Sequence, residues 1–308
     1  MRQVRVHEHG GPEVLVEEEV EAPTAGAGEV LVEVGAVGLN HLDLWVRRGV
    51  PGHRFPLPLI PGSDAAGVRL DTGERVALAP NTVDGQIRGE SIDGWMRDVV
   101  AVPEESLLPV PEGLSTVEAA CTALSALTAW QMLRKARIRQ GERVLVLGGT
   151  SGVGMFAIQI ARNAGCHVVA TARTEEKRRW CTELGAHEVI GSGAERFPRS
   201  QVVVEHVGAA TWDRSLRALD WGGRLVTCGA TTGAKVEIDL RVLFFKQQEL
   251  IGSTMGTRED LGAMWAEVRA GRLKPLLHRG VFDTVAQAHA ALEGGHAGKV
   301  VVTRGGRY

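Results

Sequence analysis

The segment Gly149-Thr150-Ser151-Gly152-Val153-Gly154 carries the plainest chemical signal in this chain. A diphosphate is held by backbone N–H groups, by the positive end of a helix, and by the lack of a Cβ where the main chain comes close. The segment meets those needs. It follows the apolar run Val144-Leu145-Val146-Leu147 and opens onto Met155 to Ala164, which has helical periodicity. Gly149 is expected to make the tight turn and Gly154 to let the helix pack on a sheet. Ser151 stands where a GxGxxG turn has its second glycine. Its hydroxyl could donate to a phosphate, although it narrows the approach.

The next strand begins at His167 and ends in Thr171-Ala172-Arg173-Thr174. A site that reads the 2′-hydroxyl of NAD places an acid about 20 residues past the glycines. Ala172 stands there instead, with Arg173 and Lys177 close by. A guanidinium is a planar partner for a 2′-phosphate, so the expected cofactor is NADPH. The plain alternative is a solvated helix start, with Thr174 as its cap and Glu175 and Glu176 in its first turn.

Such a turn must be positioned by alternating strands and helices. Beyond residue 140, strand-like runs recur at His167 to Ala170, Val202-Val203-Val204-Glu205, Gly223-Arg224-Leu225-Val226-Thr227 and Leu250-Ile251-Gly252-Ser253. With helical stretches between them, they read as a doubly wound parallel sheet. Residues 1 to 115 read as β-rich instead. Val30 to Val34 and Glu74 to Leu78 are short strands set off by Gly and Pro. An Ala-rich helix from Val117 to Arg137 follows, capped by Ser115 with Glu118 as the reciprocal acceptor. The tail holds helices over Glu259 to Ala270 and Val285 to Glu293, then a strand, Lys299-Val300-Val301-Val302.

Composition narrows the class. A length of 308 residues suggests two domains. Thirty-five basic against 37 acidic side chains leave a net charge of −2, which gives no global reason to expect nucleic acid or an anionic membrane as partner. The N-terminus has no apolar signal-peptide core, and no run approaches the roughly 20 apolar residues that span a bilayer. A cytoplasmic location is expected. Cys121, Cys166, Cys181 and Cys228 are scattered, which disfavours a disulfide scaffold and a structural zinc lobe.

Three stretches of the first half are Val37-Gly38-Leu39-Asn40-His41-Leu42-Asp43, Ile60-Pro61-Gly62-Ser63-Asp64-Ala65-Ala66-Gly67 and Leu127-Thr128-Ala129-Trp130. With the glycine turn and Glu205-His206-Val207-Gly208, they resemble the medium-chain dehydrogenase/reductase superfamily, specifically its zinc-independent quinone oxidoreductase branch. The likeness runs through nearly the whole chain, in order and in spacing. It implies an α/β protein with a GroES-like β domain over residues 1–119 and 258–308 and a Rossmann NADP(H)-binding domain over 120–257. It implies an NADPH-dependent reductase acting on quinones or α,β-unsaturated carbonyls. Implied cofactor contacts are Thr128 on the nicotinamide side, Ser192 near the adenosine ribose, Gly208, Gly229, Ala230, Thr231, Met255, Gly256, Thr257 and Lys299. These add to Gly149, Thr150, Ser151, Gly152 and Val153. Lys299 has the alternative reading of a plain surface lysine. Leu250 to Ser253 corresponds to the edge strand through which family dimers join, so a homodimer or homotetramer is implied.

Departures from the family pattern carry as much weight. Zinc alcohol dehydrogenases of the superfamily place a Cys where Asn40 stands, a His where Ser63 stands, an acid at Asp64 and a further ligand near Leu124. Asn40, Ser63 and Leu124 cannot supply thiolate and imidazole ligands. Leu42 and Trp45 fall where a proton relay would need a hydroxyl and an imidazole. His41 and Asp64 are left as residues that could trap a metal, and no metal is expected. Hydride must then go to an acceptor that is already electrophilic, and Asn40, at the matched position, is the expected catalytic hydrogen-bond donor. The alternative is a loop Asn bonded to its own backbone.

Neighbouring residues have humbler expected roles. Asp43 should tie the loop, and His41 either donates to a cofactor phosphate or is solvated. Phe244 and Phe245 read as core or as walls of an acceptor pocket. Cys228 reads as a small buried residue. Two other functional readings stand beside the reductase: a zinc-type alcohol dehydrogenase, and an NADPH-binding regulatory protein with little turnover.

Overall fold

Continuous Val and Leu runs bury both faces of a six-stranded parallel sheet, the order being Glu188–Gly191, His167–Ala172, Arg143–Val146, Ser200–Glu205, Leu219–Thr227, Glu249–Gly252. Val144, Leu145, Val146, Val202, Val203 and Val204 have no exposed surface, as a central parallel strand requires. In this computed structural model, residues 1–277 and 279–303 are described. The expected first domain therefore extends beyond the described residues at 278 and 304–308. Packing divides the chain into two units, residues 126–256 and residues 1–125 with 257 onward.

The chain enters the parallel sheet at Arg143–Val146, builds outward through His167–Ala172 to Glu188–Gly191, then crosses back to Ser200–Glu205 and builds the other way. Strand order reverses between Arg143–Val146 and Ser200–Glu205. In open α/β sheets that reversal opens a crevice at the carboxyl ends of the strands. The strand Glu188–Gly191 was not among those expected; it is four residues long and only half-buried.

The other unit is organised around the long strand Glu29–Leu39. It pairs antiparallel with Asp64–Arg69, with Val99–Pro103 and with Val300–Thr303, the last of which comes from the far end of the sequence. Val32, Val34, Val37, Leu39, Ile60, Trp95, Met96, Val300 and their neighbours form the core beneath it. The register sets Leu39 against Val300 and Gly38 against Asp64, so Asn40, Asp64 and Lys299 meet at one end of the sheet.

Two expectations need correcting. The helix expected over Val117 to Arg137 is two helices, Thr116–Ala119 and Ala123–Lys135. The chain bends between them where it runs against Gly38, whose missing Cβ would lie 2.3 Å from Ala120 O. By packing, the first unit includes the chain through Ser125. Phe244 and Phe245 are not core. They lie on the helix Leu240–Phe245 beside the edge strand, 61% and 66% exposed, with Leu240 and Trp221 also exposed.

Gly67 tests the sheet's register. A Cβ there would lie 1.9 Å from Glu33 O, beside the bulge between Val34 and Ala36. Gly67→Ala should lower stability by about 1–3 kcal/mol in thermal or urea unfolding, the range for forced overpacking. An unchanged transition would mean that the strands are not packed this closely.

Candidate active site

Four polar side chains converge where the register brings residues 40, 64 and 299 together. The Lys299 ammonium donates to Asn40 Oδ1 at 2.6 Å, to Ser125 Oγ at 3.2 Å and to Asp64 Oδ2 at 3.3 Å. Ser125 Oγ also donates to Asn40 Oδ1 at 3.1 Å, and Asn40 Nδ2 donates to Asp64 Oδ2 at 3.0 Å. Asp64 Oδ1 accepts the N–H of Leu124 at 2.7 Å, near the start of Ala123–Lys135, where a helix favours a negative charge. All four side chains are buried, and Lys299 is 3% exposed, so it is not a surface lysine. A charge this deep persists only when paired.

The loop that presents Asn40 is tied down from both sides. Asp43 Oδ2 accepts the Asn40 N–H at 2.7 Å, and its Oδ1 accepts the Gly62 N–H at 2.9 Å, so this carboxylate pins the loop as expected. Asn40 itself bonds side chains from three other segments, not merely its own backbone. Its helix, His41–Arg48, is anchored to Val285–Glu293 through buried Arg47, which donates to His289 Nδ1 at 3.3 Å and pairs with Glu293. Burial and the neighbouring Arg47 push His289 down to about 4, so it is neutral and free to accept that bond.

In the parallel-sheet unit the glycine turn is built differently from expectation. Gly148, at φ 56°, makes the left-handed turn. A Cβ on Gly149 would meet Cys181 Sγ at 2.6 Å and Ala170 Cβ at 3.0 Å, so Gly149 is the residue that lets the turn pack on its surroundings. A Cβ on Gly154 would lie 2.2 Å from Gly148 O, so Gly154 permits the loop's own close approach. Ser151 Oγ accepts the Gly154 N–H at 3.0 Å as the cap of Gly152–Asn163. The N–H groups of Thr150, Gly152 and Val153 have no acceptor among the described residues. A turn with open donors at a helix N-terminus fits a diphosphate.

The other expected residues mostly follow the carboxyl ends of the parallel strands. Arg173 is exposed just past His167–Ala172, with Lys177 in the first turn of the helix that Thr174 caps. Burial and then the nearby Arg173 charge lower the Lys177 ammonium, so two cations share this strand end. Ser192 follows Glu188–Gly191 and donates its N–H to Ala172 O at 3.0 Å. Gly208, at φ 92°, follows Ser200–Glu205. Gly229, Ala230 and Thr231 follow Leu219–Thr227, and Thr231 Oγ1 donates to His206 O at 2.9 Å. Met255, with a left-handed φ of 44°, and Gly256 follow Glu249–Gly252. Thr128 is buried in Ala123–Lys135. Thr257 departs from this set. It belongs to the first unit, where its hydroxyl accepts from Asp260 N and donates to the Asp260 carboxylate as the cap of Arg258–Arg269. His41 is exposed. Cys228 is half-buried rather than fully buried, and desolvation pushes its thiol up to about 12, which disfavours the thiolate at neutral pH.

Two residues with no role expected of their side chains hold this edge. His206 Nε2 donates to Leu147 O at 2.8 Å and lies 3.3 Å from Ser151 Oγ, at the reversal of strand order. Buried Glu205 accepts from Val207 N and Gly208 N with one oxygen and from Thr211 Oγ1 and Ser215 Oγ with the other. The only sequence signal for either was the motif that contains them.

Residues 26–112 match the alcohol dehydrogenase GroES-like domain, and residues 152–270 match the zinc-binding dehydrogenase family. Over 98% of this chain and 97% of its partner, the sequence is 30% identical to the quinone oxidoreductase of Mus musculus. The chain belongs to the medium-chain dehydrogenase/reductase superfamily. Among solved structures of this superfamily, an NAD-dependent alcohol dehydrogenase superposes with a TM-score of 0.92 at 35% identity, covering 99% of this chain and 100% of that one. The crotonyl-CoA carboxylase/reductase AntE, in complex with NADP, gives 0.86 at 25% identity over 98% and 94%.

Zinc, the metal of many superfamily members, does not fit the residues present. A zinc site needs thiolates, imidazoles or carboxylates with free lone pairs. Asn40 offers an amide oxygen already bonded to an ammonium and a hydroxyl. Both Asp64 oxygens accept hydrogen bonds, and Ser63 contributes a buried hydroxyl with no partner. A second cation would lie against the Lys299 charge.

Burial raises the Asp43 carboxyl to about 6, against the lowering effect of the Asn40 and Gly62 N–H groups and of Lys299. A value above the ordinary one means that the folded protein takes up a proton that the unfolded chain has lost. This contribution to stability is full below about pH 4 and vanishes as pH rises through 6. Asp43→Asn should therefore make the fall of unfolding free energy between pH 4 and 6 shallower, measured by urea unfolding. An unaltered slope would contradict the raised value.

Proposed function

We propose that this chain is a cytoplasmic NADPH-dependent reductase that passes hydride to quinones or α,β-unsaturated carbonyls without zinc. The observation that carries the reading is the Lys299 ammonium bonded to Asn40 and Asp64, two of the positions from which metal-dependent relatives hold zinc. Bound nicotinamide supplies the hydride. Residues of this chain do the rest. Thr150, Gly152 and Val153 offer N–H groups to the diphosphate, with Gly149 and Ser151 shaping the turn. Arg173 and Lys177 hold the 2′-phosphate, and no carboxylate at position 172 repels it. Thr128, Ser192, Gly208, Gly229, Ala230, Thr231, Met255 and Gly256 line the rest of the cofactor. A conjugated acceptor needs no Lewis acid, only a donor for the charge that builds on its oxygen. Asn40 keeps one N–H uncommitted, and such a donor stabilises the transition state by roughly 2.7–4 kcal/mol.

The partner reading is a homodimer or homotetramer. The unpaired edge Glu249–Gly252, flanked by exposed Leu240, Phe244, Phe245 and Trp221, supports association with a second copy.

NADPH oxidation should appear with a quinone, enone or enoyl thioester, and should survive a chelator. A broad panel giving no turnover would overturn the reading. Arg173→Ala should raise KM for NADPH about tenfold, as expected when a charge-assisted hydrogen bond is lost, and leave KM for NADH unchanged. Equal effects on both cofactors would remove Arg173 from the 2′-phosphate. Phe244→Glu with Phe245→Glu should yield monomers by sedimentation. A wild-type monomer at micromolar concentration would exclude the assembly.

A further inference from the structure

The ammonium of Lys299 has three N–H bonds, and all three are engaged within one buried cluster. None is left for a substrate or a cofactor phosphate. One of its acceptors is Asn40 Oδ1, and the nitrogen of the same carboxamide donates to Asp64. Charge thus sets the orientation of this amide. Turned over, it would put its NH₂ against an ammonium and its oxygen against a carboxylate. An ammonium at the amide oxygen also draws electron density from the nitrogen, and a polarised chain of hydrogen bonds strengthens the next donor. That donor is the remaining Asn40 N–H. We infer that Lys299 is a positioning residue that takes the electrostatic place of a divalent metal, neutralising Asp64 and holding the Asn40 carboxamide with one strengthened N–H toward the acceptor's oxygen.

This differs from the role implied by resemblance, a cofactor contact, and it separates from it by experiment. It rests on the hydride-transfer reading of the same site. Lys299→Met should lower kcat by roughly 10- to 100-fold, because one oxyanion donor is worth about 10²–10³ in rate. Its Kd for NADPH, measured by fluorescence, should stay within about twofold, and Lys299→Arg should recover most of kcat. Lys299 acts through Asn40, so in an Asn40→Ala background Lys299→Met should cost less than about threefold more. A weakened Kd with kcat preserved would make Lys299 a cofactor contact and overturn the inference. So would the full loss repeated in the Asn40→Ala background.

Methionine beside an uncompensated Asp64 can prevent folding. The charge-balanced pair Asp64→Asn with Lys299→Met therefore serves as the second variant, with the same kinetic expectation. A readout without turnover is the Asn40 side-chain amide in ¹⁵N NMR of the cofactor-free protein. In wild type its two protons should be well separated and slow to exchange. In the charge-balanced pair they should converge and exchange faster. Identical amide signals in both proteins would overturn the inference. If no quinone or enone is reduced, the functional reading fails, and the NMR comparison still decides the role of Lys299.

Discussion

An ammonium and a carboxylate, both out of water, set the terms for the rest of this structure. Removing either member of such a buried pair typically destabilises a protein by about 3–5 kcal/mol, since the survivor keeps its desolvation penalty. Lys299 and Asp64 come together only if Val300–Thr303 and Asp64–Arg69 flank Glu29–Leu39 in the right register. A one-residue slip of either strand would send the charge to the opposite face. The start of the helix at Ala123 is tied in as well, through Leu124 N on Asp64 and Ser125 on Asn40. Fold and site are therefore under one constraint.

The second unit solves the same problem with dipoles. Glu205 is as buried as Asp64, yet its four hydrogen bonds come from two backbone N–H groups and two hydroxyls. Every donor lies within ten residues of it, so a local turn satisfies the charge. That turn ends at Gly208, whose left-handed backbone begins the strand-end loop. A carboxylate held by nearby dipoles shapes a loop. One held by a distant lysine ties together segments far apart in the chain.

This difference explains what could be read from the sequence. The parallel sheet was legible because Val144 to Leu147 and Val202 to Val204 are apolar without interruption, and the glycine turn because its signals are contiguous. The cluster at Asn40 was legible in its parts only through family likeness. Nothing local tells that Lys299, 259 residues from Asn40, lies beside it. The break at residues 120–122 is not legible in the sequence because it comes from contact with Gly38, not from the helix's own composition. Phe244 and Phe245 look like core by hydrophobicity, and their exposure follows from lying beside a sheet edge. The need for glycine at 149 and 154 is legible in the turn's pattern, but which clash each avoids depends on atoms from Cys181 and Gly148.

The strand Glu29–Leu39 is synthesised before the parallel-sheet unit, and Val300–Thr303, which pairs with it, after that unit. While the ribosome is translating the intervening residues, that edge stays open and Asp64 has no counter-ion. The parallel-sheet unit, continuous from Ala126 to Gly256, has no such wait. The site therefore acquires its positive charge only after Lys299 has been made and has left the ribosome.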